Sequence, residues 1–392
     1  MARIVLISAS VGAGHDGVAR QLATGLAAAG HQVDCYDFLA LLPRRLGTRL
    51  RAAYRRQLAA APRSWGWLLR ALAPRWTRAA LAVVLCWLVG SALRLAVAAD
   101  ADAVVSTYPL VGQVVARWRR SGKCAAPLVT YLTDPSVHPL WIAEGTDLYL
   151  TPYAATATHA RCRGAESVMV VAAAVRPEFR PAHDMAERAA ARARFGLPAT
   201  GRLAVVLSGS WGVGAVEQAA RDIAASGAAT PVVVCGENTA LRQRLHDLAS
   251  GHVLGWVADM PTLLRACDVM VGCSGGLSVA EAHATGLPVV AYRCLPGHGR
   301  ANAAVLHAAG LAHWVRDSAG LPSALHAAVG NGRTVLPALV TDPVGVITFV
   351  ATGSNRAHPL PEVHIASAGL WPPVPISAGA NAARQIVNHP RR

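Results

Sequence analysis

The feature that most constrains this chain is a glycine-rich turn between a strand and a helix, which occurs twice. The apolar segment 3–9 runs into Ser10-Val-Gly-Ala-Gly-His15, and the apolar segment 203–207 runs into Ser208-Gly-Ser-Trp-Gly-Val-Gly214. Glycines lack a Cβ, so the backbone N–H groups at the start of the following helix can approach a phosphate closely. We therefore expect an α/β chain with two Rossmann-like units that face each other across a cleft, which suits a sugar nucleotide.

Hydrophobic alternation and turn residues predict a similar order of elements in both halves of the chain. In the first half we expect strands near 3–9, 31–36, 103–106, 127–131, 147–150 and 167–171, and helices near 14–29, 48–60, 64–98, 110–120 and 153–162. In the second half we expect strands near 203–208, 230–235, 252–255, 268–272, 288–291 and 312–315, and helices near 213–226, 238–249, 260–266, 277–285, 300–309 and 318–329.

These patterns divide the 392 residues into domains. We predict a first domain at 1–175 and a second at 201–352, joined by a Pro-punctuated linker at 176–200 that contains one helix. The segment 353–392 is rich in Pro, Ala and Gly without periodicity, and we predict a largely disordered tail there.

Residues 38–99 carry much of the excess positive charge and form a helical insertion in the first domain. The formal net charge is +15, yet no acidic residue lies between Asp37 and Asp100, where eleven arginines are found. Four tryptophans are interleaved with these arginines: Trp65, Trp67, Trp76 and Trp87. The same segment contains an uncharged apolar run at 79–93.

The apolar run does not favour a membrane span. Fifteen helical residues reach only about 22 Å, whereas the hydrocarbon core is ~30 Å thick. A single crossing would also separate the strands at 3–9 and 103–106, which should share one sheet. We expect the insertion to lie at an anionic membrane surface, where each nearby arginine contributes about 1 kcal/mol. A basic, solvated helix pair that packs its tryptophans into the core is the alternative.

Other features of the sequence bear on partners and location. Nucleic acid is not expected as a partner, because an uncharged apolar run suits lipid better than a phosphate backbone. The eight cysteines are scattered without a CxxC pair, which is typical of reduced thiols. With the first strand starting at residue 3 and no signal peptide, we expect a cytoplasmic protein attached to the inner face of the cell membrane.

Three further polar clusters follow predicted strands, where open α/β sheets bind their ligands. They are Thr133-Asp-Pro-Ser-Val-His-Pro-Leu-Trp141, Cys273-Ser-Gly-Gly-Leu-Ser-Val-Ala-Glu-Ala282 and Pro296-Gly-His-Gly-Arg-Ala-Asn302. In the first, Asp134 and His138 could be acid, base or hydroxyl-binding groups, although Asp134 could also simply form the turn before Pro135. The second begins a helix whose N–H groups would face a pyrophosphate, with Glu281 placed for a ribose hydroxyl pair. In the third, side chains would meet a transferred sugar.

Together these segments resemble GT-B glycosyltransferases of the group containing the monogalactosyldiacylglycerol synthases, the processive diacylglycerol glucosyltransferases and, more distantly, the lipid-II-forming N-acetylglucosaminyltransferase. The resemblance extends over roughly residues 3–350 and is carried by the order and spacing of several motifs. These are Ser10-x-Gly-x-Gly-His15, Val-Ser-Thr-x-Pro-Leu at 105–110, Thr133-Asp134 with His138 and Trp141, Arg176-Pro-Glu-Phe179, Val234-Cys-Gly-x-Asn238, Gly255-x-Val-x-Asp-Met260 and Gly275-Gly-x-Ser-x-x-Glu-Ala282.

The resemblance implies an inverting transfer of a hexose from a UDP-sugar to a lipid hydroxyl such as that of diacylglycerol, without a metal ion or a cofactor. The first domain would bind the acceptor, and the second would hold the nucleotide. His15 fits as the base, because a neutral imidazole can take a proton from an alcohol near pH 7. Asp134 would orient His15 or the acceptor. A simple helix-start role for His15 is the alternative.

The resemblance also implies the residues that bind each substrate. Glycines and Ser278 would surround the diphosphate, the Val257 backbone would read the uracil and Glu281 the ribose. The implied donor-binding residues are Gly209, Gly212, Gly214, Asn238, Val257, Gly275, Gly276, Ser278, Glu281, His298 and Asn302. The implied acceptor or lipid contacts are Gly12, Gly14, His138, Trp141, Trp65, Trp67, Trp76 and Trp87.

The chain departs from the family pattern at three places. The usual Gly-Gln-Glu before the late Asn is Gly297-His298-Gly299, the usual Lys-Ala-Gly-Pro-Gly-Thr is replaced at 273–278, and Trp211 stands where a glycine is common. These changes leave the transferred sugar open. They also leave two other functions open: a glycosyltransferase with a soluble natural-product acceptor, and a non-catalytic protein that binds nucleotide sugars or lipids. An oxidoreductase is disfavoured, because neither turn has the full GxGxxG.

Overall fold

Two parallel sheets of six strands form the framework of the part of the chain that the computed structural model describes, which is residues 1–97, 100–246, 251–272, 275–330, 332 and 341–353. The strands are β1 (Arg3–Ser8), β2 (Gln32–Asp37), β3 (Ala103–Ser106), β4 (Leu128–Tyr131), β5 (Leu148–Thr151), β6 (Val168–Val170), β7 (Leu203–Leu207), β8 (Thr230–Val234), β9 (His252–Leu254), β10 (Val269–Gly272), β11 (Val289–Tyr292) and β12 (His313–Val315). The predicted tail beyond residue 353 lies outside the described residues, as do Cys273 and Ser274.

Helices cover both faces of each sheet. They are α1 (Ala13–Ala28), α2 (Leu46–Ala60), α3 (Pro62–Ala71), α4 (Arg75–Val97), α5 (Pro109–Arg120), α6 (Ala154–Cys162), α7 (Met185–Arg194), α8 (Val216–Ser226), α9 (Thr239–Leu245), α10 (Met260–Ala266), α11 (Gly276–Ala284), α12 (His298–Ala308), α13 (Leu321–Gly330) and α14 (Pro343–Ala351). Parallel strands buried on both faces must be apolar throughout, which explains the short Val- and Leu-rich runs. The predicted two-domain α/β fold is therefore confirmed.

The strand order places the candidate site in each domain. The first sheet runs β2-β1-β3-β4-β5-β6, and the second runs β12-β11-β10-β7-β8-β9. In each sheet the chain first moves to one side of its opening strand, β1 or β7, and then crosses to the other side. Open α/β sheets bind ligands at the carboxyl ends of the strands beside this reversal. Both glycine-rich turns lie at such a position.

The long helix α4 belongs to the core of the first domain. Its buried residues recur at helical spacing, as in Leu85, Val89 and Leu93, and they pack in one cluster with residues of α5 and of β1. By length and composition alone, Arg75–Arg94 could cross a membrane, and 28% of that segment is buried. A membrane crossing would pull this buried face out of the core. The helix therefore lies against its domain and turns its other face outward.

The predicted linker is part of the second domain rather than a free connection. Its helix α7 packs on α10, and Ala191 and Leu197 join the core cluster of the second domain. The buried Arg192 guanidinium donates to the carbonyl oxygen of Ala266 at 3.1 Å and to the Asp268 carboxylate at 3.0 Å. A buried charge in such a network fixes α7 against the sheet.

The helix α14 corrects the predicted boundary of the second domain at 352. The chain returns to the first domain, where Ile347 and Val350 pack in a cluster with Ile4 and Leu22. Thr348 Oγ1 lies 2.9 Å from His31 Nε2. The apolar pattern of 343–351 predicts a helix with a buried face, but a local pattern does not say which sheet that face covers.

A candidate active site between the two domains

His15 lies in the first turn of α1, which begins after Gly12 at the carboxyl end of β1. Its Nδ1 is 2.8 Å from the carbonyl oxygen of Thr107. A carbonyl oxygen only accepts, so Nδ1 carries the proton and donates it. In the neutral ring Nε2 then holds the lone pair, and Nε2 has no hydrogen-bond partner within the described part of the chain. The imidazole is therefore held as a proton acceptor.

Two threonines position this ring. Besides the Thr107 carbonyl, Thr133 Oγ1 lies 3.0 Å from His15 Nδ1, and the Thr107 hydroxyl is 3.3 Å from the His15 carbonyl oxygen. We predicted that Asp134 orients His15 or the acceptor. Among the described residues no hydrogen bond joins Asp134 to His15, and its role toward the acceptor stays a prediction. The Asp134 carboxylate instead accepts from Asn302 Nδ2 at 3.3 Å. The motifs at 105–110 and 133–141 contain both threonines, but nothing in their local pattern identifies them as partners of His15.

The predicted acceptor residues Trp141 and His138 form the wall of the site. Trp141 is only 3% exposed, and its ring centroid lies 6.0 Å from that of His15, so it does not reach a lipid surface. His138 Nε2 donates to the carbonyl oxygen of Leu69 at 2.9 Å, and its Nδ1 accepts from the Leu140 N–H at 3.2 Å. Both ring nitrogens of His138 are thus used to tie the loop after β4 to α3.

The two domains meet at the amino end of α11. A Cβ on Gly276 would lie 1.7 Å from the carbonyl oxygen of Thr133, and a Cβ on Gly17 would lie 2.4 Å from Leu277 Cδ2. A Cβ on Gly14 would lie 3.9 Å from the Cβ of Leu277, which is an ordinary contact. Glycine is therefore required where α11 touches the first domain. The helix start predicted to hold the diphosphate lies beside the threonine that orients His15.

Asn302 joins the domains in the same region. Its side chain is fully buried, and its Oδ1 accepts from the backbone N–H of Ser136 at 2.9 Å and from the Ser136 hydroxyl. With its amide nitrogen bonded to Asp134, this α12 residue holds the loop that follows β4. We predicted that Asn302 binds the sugar. In the structure its amide oxygen and its amide nitrogen both hydrogen-bond to protein groups.

The second glycine turn has the backbone expected for close approach of a ligand. Gly209, Gly212 and Gly214 have φ angles of 72°, 56° and 103°, which side chains with a Cβ rarely adopt. Asn238 Nδ2 donates to the carbonyl oxygen of Gly212 at 3.0 Å, and its Oδ1 accepts from the Leu241 N–H at 2.9 Å at the start of α9. Asn238 therefore shapes the turn. Its second Nδ2 hydrogen is not used in these two bonds, and its contact with the donor stays a prediction.

Glu281 is a partly buried carboxyl group in α11. Burial raises the pKa of the Glu281 carboxyl to about 7, although the nearby Arg176 guanidinium acts to lower it. Among the described residues this carboxyl has no hydrogen-bond partner. A carboxylate kept unpaired at this position suits the binding of a pair of hydroxyl groups.

The other predicted donor residues lie around the start of α11 and in the segment that follows β9. Gly275 is the exposed residue before the helix, and a Cβ there would meet nothing within 4 Å. Ser278 is half-buried in the first turn, and Val257 packs partly against the core cluster of the second domain. Gly12, on the acceptor side, has a φ of 151° and open space around its Cα.

The insertion reaches across the cleft through Trp65, for which we predicted an acceptor or lipid contact. Trp65 Nε1 donates to His298 Nδ1 at 2.9 Å, so His298 carries its own proton on Nε2. Burial lowers the pKa of His298, Asp134 acts to raise it and His15 to lower it. Trp65 therefore contacts the second domain, whereas Trp67, Trp76 and Trp87 are 70%, 74% and 82% exposed.

Trp211 makes a second contact between the insertion and the second domain. It is 5% exposed, its ring lies 5.9 Å from that of Tyr54, and the guanidinium groups of Arg51 and Arg55 lie 5.9 and 5.8 Å from its centroid. Such cation–π contacts stabilise by about 1 kcal/mol each. The sequence marked Trp211 only as a departure from the family, and gave no signal for its α2 partners.

Comparison with known proteins supports the two-domain division. Residues 15–172 match the family model described as monogalactosyldiacylglycerol (MGDG) synthase, and residues 199–328 match the model described as glycosyl transferases group 1. The chain is 29% identical over 210 residues to the processive diacylglycerol beta-glucosyltransferase of Bacillus pumilus. These 210 residues cover 52% of this chain and 54% of that protein. The match thus spans about half the length of this relative.

Solved structures show the same fold. MurG of Acinetobacter baumannii superimposes with a TM-score of 0.53 at 16% identity, covering 90% of this chain and 100% of the other. The Medicago truncatula protein UGT71G1, solved with UDP-glucose, gives a TM-score of 0.52 at 11% identity and covers 84% and 90% of the two chains. The chain is therefore a protein of the GT-B glycosyltransferase fold that resembles the monogalactosyldiacylglycerol synthases and the processive diacylglycerol glucosyltransferases.

Proposed function

We propose that this chain is an inverting glycosyltransferase that moves a hexose from a UDP-sugar to a lipid hydroxyl, such as that of diacylglycerol, without a metal ion. The observation that carries the proposal is the hydrogen bond of 2.8 Å from His15 Nδ1 to Thr107, which leaves Nε2 available as a base at the cleft. The name of the Bacillus pumilus relative supports the lipid acceptor, and the UDP-glucose bound to the Medicago truncatula protein supports the donor.

In the proposed reaction, Nε2 of His15 takes the proton of the acceptor hydroxyl while the hydroxyl oxygen bonds to the anomeric carbon. The bond between that carbon and the β-phosphate oxygen breaks on the opposite face, so the configuration inverts. The departing UDP gains negative charge. N–H groups at the start of α11 and in the glycine turn 209–214 would stabilise that charge, with Glu281 on the ribose.

We further propose that the insertion attaches the protein to the anionic inner face of the cell membrane. Three exposed tryptophans, Trp67, Trp76 and Trp87, lie on α3 and α4 among arginines. Val83 and Val84 add exposed apolar surface between them. Aromatic and aliphatic side chains beside cationic ones are typical of helices that bind in the membrane interface.

Transfer is tested by measuring UDP release from UDP-glucose and UDP-galactose with vesicles that contain diacylglycerol. His15→Ala should lower turnover by about two to four decades with little change in UDP binding, because only the proton acceptor is lost. His326→Ala, a histidine exposed on α13, is the matched control and should keep full activity. A loss below about tenfold for His15→Ala would exclude His15 as the base. No UDP release with any lipid would instead favour a non-catalytic nucleotide-sugar-binding protein.

Membrane attachment is tested separately by cosedimentation with anionic vesicles. The triple replacement of Trp67, Trp76 and Trp87 by serine should abolish attachment, and added salt should weaken that of the unchanged protein. Replacement of Trp314, which lies in β12 of the second domain, serves as the control. Attachment that survives the triple replacement would contradict the assigned surface.

A further inference from the structure

A cationic groove lies between α4 and α5, away from the cleft. It is a cavity of about 230 Å³ lined by Cys86, Trp87, Gly90, Arg94, Trp118 and Lys123. A neighbouring cavity of about 260 Å³ shares Cys86, Trp118 and Lys123 and adds Arg117, Arg120 and Ser121. None of these residues takes part in the candidate active site.

The floor of the groove has open space above it. Gly90 lies in the middle of α4 with a buried backbone, yet a Cβ at this position would meet nothing within 4 Å. Trp118 forms the base and is only 5% exposed. The packing of α4 on α5 thus leaves a space above Gly90 that no neighbouring side chain occupies.

Three cations without acidic partners among the described residues line the two cavities: Arg94 the first, Arg117 the second and Lys123 both. Arg94 Nε donates to the carbonyl oxygen of Gly90 at 2.8 Å, which holds its guanidinium at the rim. The backbone N–H of Lys123, the chain's single lysine, donates to Trp118 at 2.9 Å and so fixes the turn after α5. Within the described residues, Arg94, Arg117 and Lys123 form no ion pair.

The adjacent arginines differ in this respect. Arg120 pairs with Glu144 at 2.9 Å, and Arg119 pairs with Asp147 at 2.7 Å. Carboxylates are therefore available on this side of the domain, and they neutralise Arg119 and Arg120, of which Arg120 also lines the neighbouring cavity. The charge left uncompensated is concentrated at the groove, so an anion is the complementary ligand.

The groove also borders the exposed apolar face of α4. Trp87 lines the cavity and is 82% exposed, and Val83 and Val84, one helical turn away, are 48% and 52% exposed. An anion bound here would have apolar surface directly beside it. A free phosphate would make no apolar contact with this surface, whereas the glycerol and acyl chains of a phospholipid would pack against it.

We propose that this groove is a binding site for the phosphate group of an anionic phospholipid, held by Arg94, Arg117 and Lys123 with the acyl chains along Trp87. The site rests on the proposed attachment to a membrane and adds to it a defined position for one lipid. It would fix the depth and rotation of the first domain at the surface, and hence the direction in which the cleft meets a lipid acceptor.

The decisive variant is Gly90→Leu, which fills the groove without changing any charge. Leucine is a better helix former than glycine, and the space above Gly90 is free, so the fold is retained. Ser91→Leu places the same side chain on the neighbouring exposed position and is the matched control. With phosphatidylglycerol vesicles we expect Gly90→Leu to weaken binding about tenfold and Ser91→Leu to leave it unchanged.

Charge variants distinguish a defined site from general attraction to the surface. Arg94→Gln and Lys123→Gln should each weaken vesicle binding about fivefold, while Arg120→Gln, which removes a paired arginine, should have little effect. Equal losses for all three would overturn the site and leave only diffuse attraction. Competition by soluble glycerol 3-phosphate at the concentration of the vesicle lipid should fail, and success would overturn the assignment to a lipid.

Failure of this inference is separable from failure of the proposed function. If the unchanged protein binds the vesicles and Gly90→Leu binds equally well, the groove is excluded and membrane attachment stands. If the unchanged protein does not bind anionic vesicles, both the groove and the attachment are excluded. Sugar transfer is measured independently by UDP release.

Discussion

Replacement of Glu281 by glutamine should stabilise the fold and weaken the binding of the donor. Burial raises the pKa of this carboxyl from an ordinary 4.5 to about 7, and Arg176 opposes the shift only in part. The folded state thus binds the proton more tightly than the unfolded state does. The stability linked to this group is fully present below about pH 4.5 and is lost as the pH rises through about 7.

The magnitude follows from the two pKa values. A rise from 4.5 to about 7 corresponds to about 3 kcal/mol of unfolding free energy lost at alkaline pH. Glutamine has the shape of the protonated carboxyl and no charge, so it avoids this loss. In urea unfolding, Glu281→Gln should exceed the unchanged protein by under about 1 kcal/mol near pH 5 and by about 3 kcal/mol near pH 8.5.

The same variant should bind a UDP-sugar more weakly by about 1–3 kcal/mol, because ribose hydroxyls lose a charged acceptor. Calorimetry with UDP-glucose is the suitable assay, since its diphosphate diester stays fully ionised near neutral pH and its charge does not change over the pH range of the assay. Glu178→Gln, at an exposed position, should change neither quantity. A stability difference that is independent of pH would refute the reasoning about the buried carboxyl, and an unchanged affinity would remove Glu281 from the ribose site.

Three further substitutions test contacts around the cleft. Gly276→Ala should lower the unfolding free energy by about 1–3 kcal/mol, because the new Cβ would lie 1.7 Å from the Thr133 carbonyl oxygen. Thermal unfolding is the assay, and Gly275→Ala, where space is free, should show no such loss. Trp65→Phe keeps an aromatic side chain but removes the N–H group that hydrogen-bonds to His298, and it should raise the KM for the UDP-sugar severalfold. An unchanged KM would show that His298 does not contribute to binding the UDP-sugar. Thr133→Val removes a partner of His15 and should lower kcat about tenfold with UDP affinity retained, whereas an equal loss of both would indicate general damage to the cleft.

Local sequence patterns determined the architecture of this protein. Apolar runs such as 203–207 and Ala-rich helical segments predict two sheets covered by helices, because strand and helix periodicity are properties of neighbouring residues. The glycine turns are predictable for the same reason, since Gly209 and Gly212 adopt φ angles that other residues avoid. The resemblance to the diacylglycerol glycosyltransferases also rested on short motifs, and the comparisons confirmed it.

The partners of the side chains were decided only by the tertiary structure. The contact of His15 with Thr107 joins residues 92 positions apart, and that of Asn302 with Ser136 joins residues 166 apart. Spacing along the chain carries no information about such pairs. Folding brings the first pair together at neighbouring strands of one sheet and the second pair together from two different sheets. For the same reason the sequence, from which we predicted an acceptor or lipid contact for Trp65, gave no signal for its hydrogen bond to His298 of the second domain. The amphipathic indole of Trp65 favours an interface, and that much follows from the residue type. The packing of α3 against the second domain decided that this interface is with protein.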